Sequence, residues 1–253
     1  MFFHLLVTTD CDLKCRYCYE KSCDDIDSDF GNFNIDYDVP SKISYDLDHL
    51  AIFIKKDPEP ILIFYGGEPM LYTNKIQQFV SIDGNEKLTE FYRGKRVYKK
   101  VIENVNTIVE NGFKGEIIAR MTLMEETNIY QNIKWLLSNP DHKFFSIHWQ
   151  LDAGFWKNDF KKRNFSKWIE TNYNISIRKL VKFWINHMKN EGNVLRVYPL
   201  LAIMQSLLKN EQTQLRCGSG WINYSIQTNG HIIPCPAMSG MKDYYLGHIK
   251  NSH

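Results

Sequence analysis

The sequence predicts an α/β fold built on a parallel sheet, and three observations carry that expectation. Apolar runs of strand length alternate with segments of helical periodicity through most of the chain. Polar residues gather where these runs end, and parallel α/β sheets and barrels collect their chemistry at the carboxyl ends of their strands. The tail differs: Trp221 to Pro236 has the pattern of a hairpin around Thr228-Asn229-Gly230.

Phe2 to Thr8 reads as a buried strand that runs directly into a cluster of cysteines. Ile61 to Tyr65 is the unbroken apolar run of a fully buried strand and stops at Gly66-Gly67. Phe79 to Ile82 is a third strand, stopping at Asp83-Gly84. Val97, Val101, Ile102, Val105, Ile108 and Val109 then recur at helical spacing, and Asn111-Gly112 ends that helix. Next come a strand at Glu116 to Leu123, a helix from Asn128 to Ser138 closed by Asn139-Pro140, and a strand at Phe144 to Leu151. Residues 166–210 read as amphipathic helices linking this α/β part to the tail, and no internal repeat is evident.

A chain of 253 residues with 43% hydrophobic and 14% aromatic residues can bury a sizeable core, which excludes disordered, collagen-like and low-complexity classes. The 31 basic against 29 acidic residues leave a net charge of +2, too balanced for capture of nucleic acid or an anionic membrane to be the main function. No apolar stretch approaches the roughly 18 residues of a spanning helix. The apolar start, Met1 to Val7, has neither a basic region nor a small-residue cleavage site, so a cytoplasmic protein is expected. The acidic residues between Asp24 and Asp38, and the basic stretch Lys157, Lys161, Lys162, Arg163 and Lys167, read as solvated surface.

Six cysteines sit at 11, 15, 18, 23, 217 and 235, four of them within thirteen residues. In a chain without an export signal this distribution points to metal binding rather than disulfides. Cys11, Cys15 and Cys18 lie in one short loop, where three thiolates can face a single centre. Structural zinc takes four ligands and a [4Fe–4S] cluster normally four cysteines, so a three-cysteine loop leaves one iron open to another ligand, unless Cys23 is the fourth.

The spacing of these cysteines, with aromatic Tyr17 before the last of them and a strand before the loop, resembles the signature of the radical S-adenosylmethionine (SAM) superfamily. Two further segments resemble it in the right order. Tyr65-Gly66-Gly67-Glu68-Pro69 is similar to its Gly-Gly-Glu motif, and Ser81-Ile82-Asp83-Gly84 to the Ser-Leu-Asp-Gly segment of its peptide-modifying members. Cys217-Gly218, Asn229-Gly230 and Pro234-Cys235-Pro236 resemble the start of a SPASM or twitch domain, and Tyr244 to Ile249 the element that follows it. The resemblance implies a partial parallel (β/α) barrel over residues 1–155, a helical linker over 156–210, and a truncated SPASM/twitch-like segment over 211–253 that forms a cysteine-bearing β-hairpin extension. Only about ten residues separate Pro69 from Phe79, so one βα unit of the family pattern is expected to be missing there, and the chain stops before the cysteine-rich end that would complete an auxiliary cluster.

The same resemblance implies the chemistry. Cys11, Cys15 and Cys18 would ligate a [4Fe–4S] cluster whose fourth iron binds SAM, and reductive cleavage of SAM would yield a radical that abstracts hydrogen from substrate. Tyr17 would pack near the adenine, while Gly66, Gly67 and Glu68 would hold the methionine end, with Glu68 accepting from its ammonium. Ser81 and Asp83 would bond the carboxylate or ribose, and Arg120 would pair with the SAM carboxylate if strand parity turns it inward. Cys217 and Cys235 match the first two ligand positions of an auxiliary Fe–S cluster, available if the full protein is longer. From position alone, Gln150 and Asp152 at the end of the last parallel strand are candidates for proton transfer with substrate, whereas His148 and His187 lack ligand spacing and read as structural. The implied partners are a ribosomally made peptide or protein substrate and an electron donor such as flavodoxin or ferredoxin, with no nucleic acid and no membrane. A glycyl-radical-activating enzyme, another radical SAM enzyme, and a non-catalytic zinc or Fe–S protein remain the alternatives.

Overall fold

In the computed structural model the described residues are 1–10, 15–18, 33–65, 78–152, 163–212 and 217–251. Their elements begin with β1 (Phe2–Leu6), α1 (Leu47–Ile54), β2 (Ile61–Tyr65), β3 (Gln78–Ser81), α2 (Glu86–Arg93), α3 (Val97–Glu110), β4 (Ile117–Leu123), α4 (Ile129–Ser138) and β5 (Ser146–Leu151). They continue with α5 (Phe165–Trp168), one π-helical stretch (Ile169–Tyr173), α6 (Asn174–Glu191), β6 (Arg196–Val197), α7 (Tyr198–Lys209), β7 (Asn223–Ile226), β8 (His231–Ile233) and β9 (Gly247–His248). The α/β fold with a parallel sheet is therefore the one expected. None of the described helices is long and apolar enough to cross a membrane.

The chain divides into two compact units. One comprises Met1–Asp12, Tyr19–Thr73 and Thr213–His253; the other comprises Leu13–Cys18 and Asn74–Gln212. In the first, a five-stranded sheet has the order β2-β1-β7-β8-β9. Strand β1 pairs in parallel with β2 and with β7, while β7-β8-β9 is antiparallel. Phe3 and Leu5 of β1 pack with Ile226, Ile232, Tyr45 and Leu50, the last from α1. The expected hairpin turn is present: Gly230 donates to the Gln227 carbonyl at φ +88°, where a side chain would be strained and would meet His248.

The second unit carries a fully parallel sheet in the order β3-β4-β5-β6. Val80, Ile82, Ala119, Met121, Leu123, Ile147 and Trp149 point to one face and pack against Ile102 and Val105 of α3, Ile133 and Leu136 of α4, and Leu180 and Trp184 of α6. Three helices begin on an acceptor side chain: Asp46 takes the Asp48 amide, Asn85 that of Leu88, and Asn128 that of Gln131. Helix α3 has the bounds its apolar spacing predicted, although its buried stripe is Tyr98, Ile102 and Val105 and Val109 is exposed.

Three expectations need correction. Strand β2 is not buried on both faces, since Ile61 is 47% exposed and Leu62 and Ile63 are half-buried; among the described residues it is the end strand of its sheet, paired with β1. The described residues of the segment 156–210, from Arg163 on, are not a linker, because Trp168, Leu180, Trp184, Val197 and Leu200 belong to the second unit's core and β6 extends its sheet. Nor is the tail an extension of a 1–155 core: β7 lies beside β1, with Phe2 opposite Asn223 and Leu5 opposite Ile226, so the tail completes the sheet the first strand begins. That pairing joins residues far apart in sequence, which local patterning does not reveal.

At the amino-terminal edge of the second sheet, Glu116 accepts from Ser146, from Arg196 at 2.9 Å and from the Tyr198 hydroxyl at 2.8 and 2.7 Å. It therefore ties β4, β5, β6 and α7 together. Burial alone would raise its pKa, but the bonds from Ser146, Tyr198 and Arg196 outweigh that and hold it below the ordinary 4.5. A carboxyl with a lowered folded-state pKa contributes stability that is present above its unfolded pKa and lost as pH falls through the folded one. Glu116→Gln is expected to cost about 1–3 kcal/mol at neutral pH and to flatten the loss of stability on acidification, as read by urea unfolding across pH 3–7. Identical profiles for the two proteins would remove Glu116 from this role.

Candidate functional site

The cysteine loop is built first by its own backbone. Cys15, Arg16, Tyr17 and Cys18 form a turn in which the Cys18 amide donates to the Cys15 carbonyl at 3.2 Å, and both thiols are half-buried. Helix α2 then holds it through three consecutive residues. The Tyr92 carbonyl accepts from the Arg16 amide at 3.1 Å, the Phe91 ring lies 3.9 Å below the Arg16 guanidinium, and the Arg93 guanidinium lies 5.2 Å from the centre of the Tyr17 ring. Tyr17 and Tyr92 also pack ring to ring at 5.9 Å.

Asp83, two residues past the end of β3, is the centre of this arrangement. Its side chain has 0% exposure. Oδ2 accepts from the Tyr17 hydroxyl at 2.8 Å and Arg93 Nε at 2.8 Å; Oδ1 accepts from Arg93 Nη2 at 3.1 Å and the Thr122 amide at 2.9 Å. Burial pulls the Arg93 pKa down, but the Asp83 carboxylate more than offsets this, and the guanidinium stays charged. Burial also drives the Tyr17 phenol well above its ordinary range, so it acts as a donor. Gly84 is forced by the same corner: its φ is +141°, and a Cβ there would overlap the Asn132 amide.

Toward the carboxyl ends of the strands, the sheet face opposite the helices is polar. Ser81, Arg120 and His148 stand in register across β3, β4 and β5, and Thr122 is opposite Gln150. Since Ala119, Met121 and Leu123 face the helices, Arg120 points the other way, which settles its parity. Its Nη2 donates to Gln150 Oε1 at 2.8 Å. His148, read from sequence as merely structural, lies in this row; burial, and then the charge of Arg120, lower its pKa to about 4, so it is neutral at physiological pH. Its two-residue offset from Gln150 is the signal that would have found it.

Asp152 is bound in an ion pair. Arg163 Nη1 holds it at 2.9 Å while Nε and Nη2 hold both oxygens of Glu125 at 2.8 Å, and the side chains of Arg163 and Asp152 are each 12% exposed. The reading of Arg163 as solvated surface is thereby corrected: a guanidinium with two carboxylates within reach is drawn out of water. This pair borders an open cleft of about 530 Å³ lined by residues including Glu125, Glu126, Asn164, Lys167, Trp168 and Asn172.

Among the described residues no group of three metal-ligating side chains comes together. Cys11, Gly66, Gly67 and Glu68, and also Cys23, Lys157, Lys161 and Lys162, lie outside the described residues. The donor chemistry of Cys15 and Cys18, two half-buried thiols on one anchored turn, fits an iron–sulfur cluster. In the other unit Cys217 is exposed and Cys235 half-buried, and the segments that carry them are bonded through Ser219 Oγ and the Pro234 carbonyl at 2.8 Å.

Residues 3–136, more than half of the chain, match the family described as 4Fe-4S single cluster domain. The chain belongs to this family. No curated protein matches it. Among solved structures, native anSMEcpe with bound AdoMet, an anaerobic sulfatase maturase, is similar over 100% of this chain and 79% of its own, with TM-score 0.71 and 16% identity. The same protein with AdoMet and the Cp18Cys peptide gives 0.69 and 17%, over 100% and 78%. SuiB of Streptococcus suis bound to the precursor peptide SuiA gives 0.58 and 16%, over 99% and 62%. At these identities the likeness is one of fold, an α/β fold with a parallel sheet shared with structures that contain AdoMet or a peptide.

The 4Fe-4S single cluster domain thus rests on a buried ion pair. Arg93→Met leaves the Asp83 carboxylate buried without its cation and is expected to cost about 3–5 kcal/mol in denaturant unfolding. Asp83→Asn combined with Arg93→Met should recover part of that loss; additive losses in the double variant would contradict the pairing.

Proposed function

We propose that this chain is a radical SAM enzyme that modifies a ribosomally made peptide or protein. The observation that carries the reading is the anchoring of the cysteine loop at the carboxyl end of β3, through Asp83, beside a sheet face that presents Ser81, Arg120, His148 and Gln150. A charged and hydrogen-bonding surface at that end of a parallel sheet is where a polar ligand is held.

In this reading Cys11, Cys15 and Cys18 hold a [4Fe–4S] cluster. With SAM bound and an electron from a flavodoxin or ferredoxin, that group would supply the one-electron cleavage of SAM whose product abstracts hydrogen from substrate. The chain's own residues bind and orient. Gly66, Gly67 and Glu68 would hold the methionine end of SAM, Glu68 accepting from its ammonium, and Arg120 would pair with its carboxylate beside Ser81. Gln150, already bonded to Arg120, fixes the direction of that guanidinium. Asp152, oriented by the bond from Arg163 to its Oδ2 at 2.9 Å, would exchange a proton with substrate. Neutral His148 is free of a charge that would oppose Arg120. The peptide class is supported by the fold shared with structures that contain peptides, and the electron donor is a flavodoxin or ferredoxin by analogy of chemistry. Cys217 and Cys235 would begin an auxiliary Fe–S site, to which further ligands would have to come from elsewhere.

Anaerobically reconstituted protein is expected to form 5′-deoxyadenosine from SAM and dithionite, and Cys11→Ala, Cys15→Ala or Cys18→Ala each to abolish it, whereas Cys23→Ala should not. Zinc as the sole bound metal, or full turnover by Cys15→Ala, would overturn the reading. Glu68→Ala should leave the cluster in place and weaken SAM binding by roughly ten- to a hundredfold, the worth of one charge-assisted hydrogen bond; calorimetry that finds no change would take Glu68 out of the site.

A further inference from the structure

We propose that Tyr17, Asp83 and Arg93 form a latch that seats the cysteine loop on the end of the sheet, so that Asp83 and the Tyr17 hydroxyl position the thiols instead of binding SAM. The inference rests on the function proposed above. Its starting point is occupancy: four donors, all from this chain, already fill the two oxygens of a carboxylate with no exposed surface. A ribose hydroxyl or a SAM carboxylate would have to displace one of them.

The second support is where the four donors come from. The Thr122 amide belongs to β4, Arg93 to the end of α2 and Tyr17 to the loop itself, so one carboxylate fixes the loop to two rigid elements. Tyr17 stands between Cys15 and Cys18, the residues whose thiols must converge. The neighbouring contacts act in the same sense: Arg16 is held at its amide by Tyr92 and at its guanidinium by Phe91. Phe91, Tyr92 and Arg93 therefore grip the loop at consecutive points. Asn85 caps the helix that presents them, and Thr89 Oγ1 accepts from the Asp83 amide at 3.2 Å, closing the path from β3 through α2 back to the loop. Such support lets a binding site exist before its ligand arrives.

Tyr17→Phe is the informative variant, because it keeps the ring and leaves the Asp83–Arg93 pair whole. In the full chain, reconstituted anaerobically, it should load iron as the parent does, lose it to a chelator roughly tenfold faster, and bind SAM with unchanged affinity. In the cluster-free protein, Cys15 and Cys18 should be alkylated faster by iodoacetamide, as read by mass spectrometry of the loop peptide. Unchanged iron release together with unchanged alkylation would overturn the latch. So would a loss of SAM affinity with normal iron retention, which would move the hydroxyl into the SAM site. If the parent protein takes up no cluster, the proposed function fails, while alkylation of the cluster-free variant still decides whether Tyr17 holds the loop.

Discussion

The second unit depends on one buried carboxylate. Asp83 has 0% exposure, and taking an ionised group out of water costs several kcal/mol unless it is paired and bonded. Here the cost is offset by a fork of two bonds from Arg93, one from a backbone amide and one from a phenol. Charge-assisted bonds of this kind are directional as well as strong, so they fix where β3 ends, how α2 lies and where the loop between Cys15 and Cys18 sits. A neutral side chain in place of Asp83 would meet the same donors with less attraction and leave a buried cation behind.

The sheet that carries Asp83 separates two environments. On one face, apolar side chains such as Ala119, Met121 and Ile147 meet the helices; on the other, the alternating positions Ser81, Arg120, His148 and Gln150 are polar. The period of two along each strand makes this division without any special residue. It also explains how burial and Arg120 together keep His148 neutral. Glu116 performs a similar service at the opposite edge, where its bonds to Ser146, Arg196 and Tyr198 gather the starts of two strands and a helix.

Acidic and basic side chains in this chain are sorted by partners and not by composition. Arg163 belongs to a basic stretch that reads as solvated surface, yet it is held by Glu125 and Asp152, residues that follow neighbouring strands. Lys167, four residues on, remains exposed. What distinguishes them is the presence of two carboxylates around Arg163, Glu125 held by two bonds and Asp152 by one, a fact of tertiary structure.

The sequence by itself determined the α/β class, the parallel strands at β4 and β5, helices α3 and α4, the hairpin turn at Asn229-Gly230, and the cysteine loop as the place to look for a cluster. These are local properties: periodicity, turn chemistry and ligand spacing act over a few residues. Only the tertiary structure decided that β7 lies beside β1, that residues 166–210 pack into the core, that Arg120 shares a face with His148, and that Asp83 is spent on Tyr17 and Arg93. Each of those joins residues separated by many positions, or turns on which of two faces a side chain takes. Helix α2, eight residues long and built around Asn85, escaped the apolar pattern because what it contributes is Phe91, Tyr92 and Arg93 against the loop, and a partner in space leaves no period in the chain.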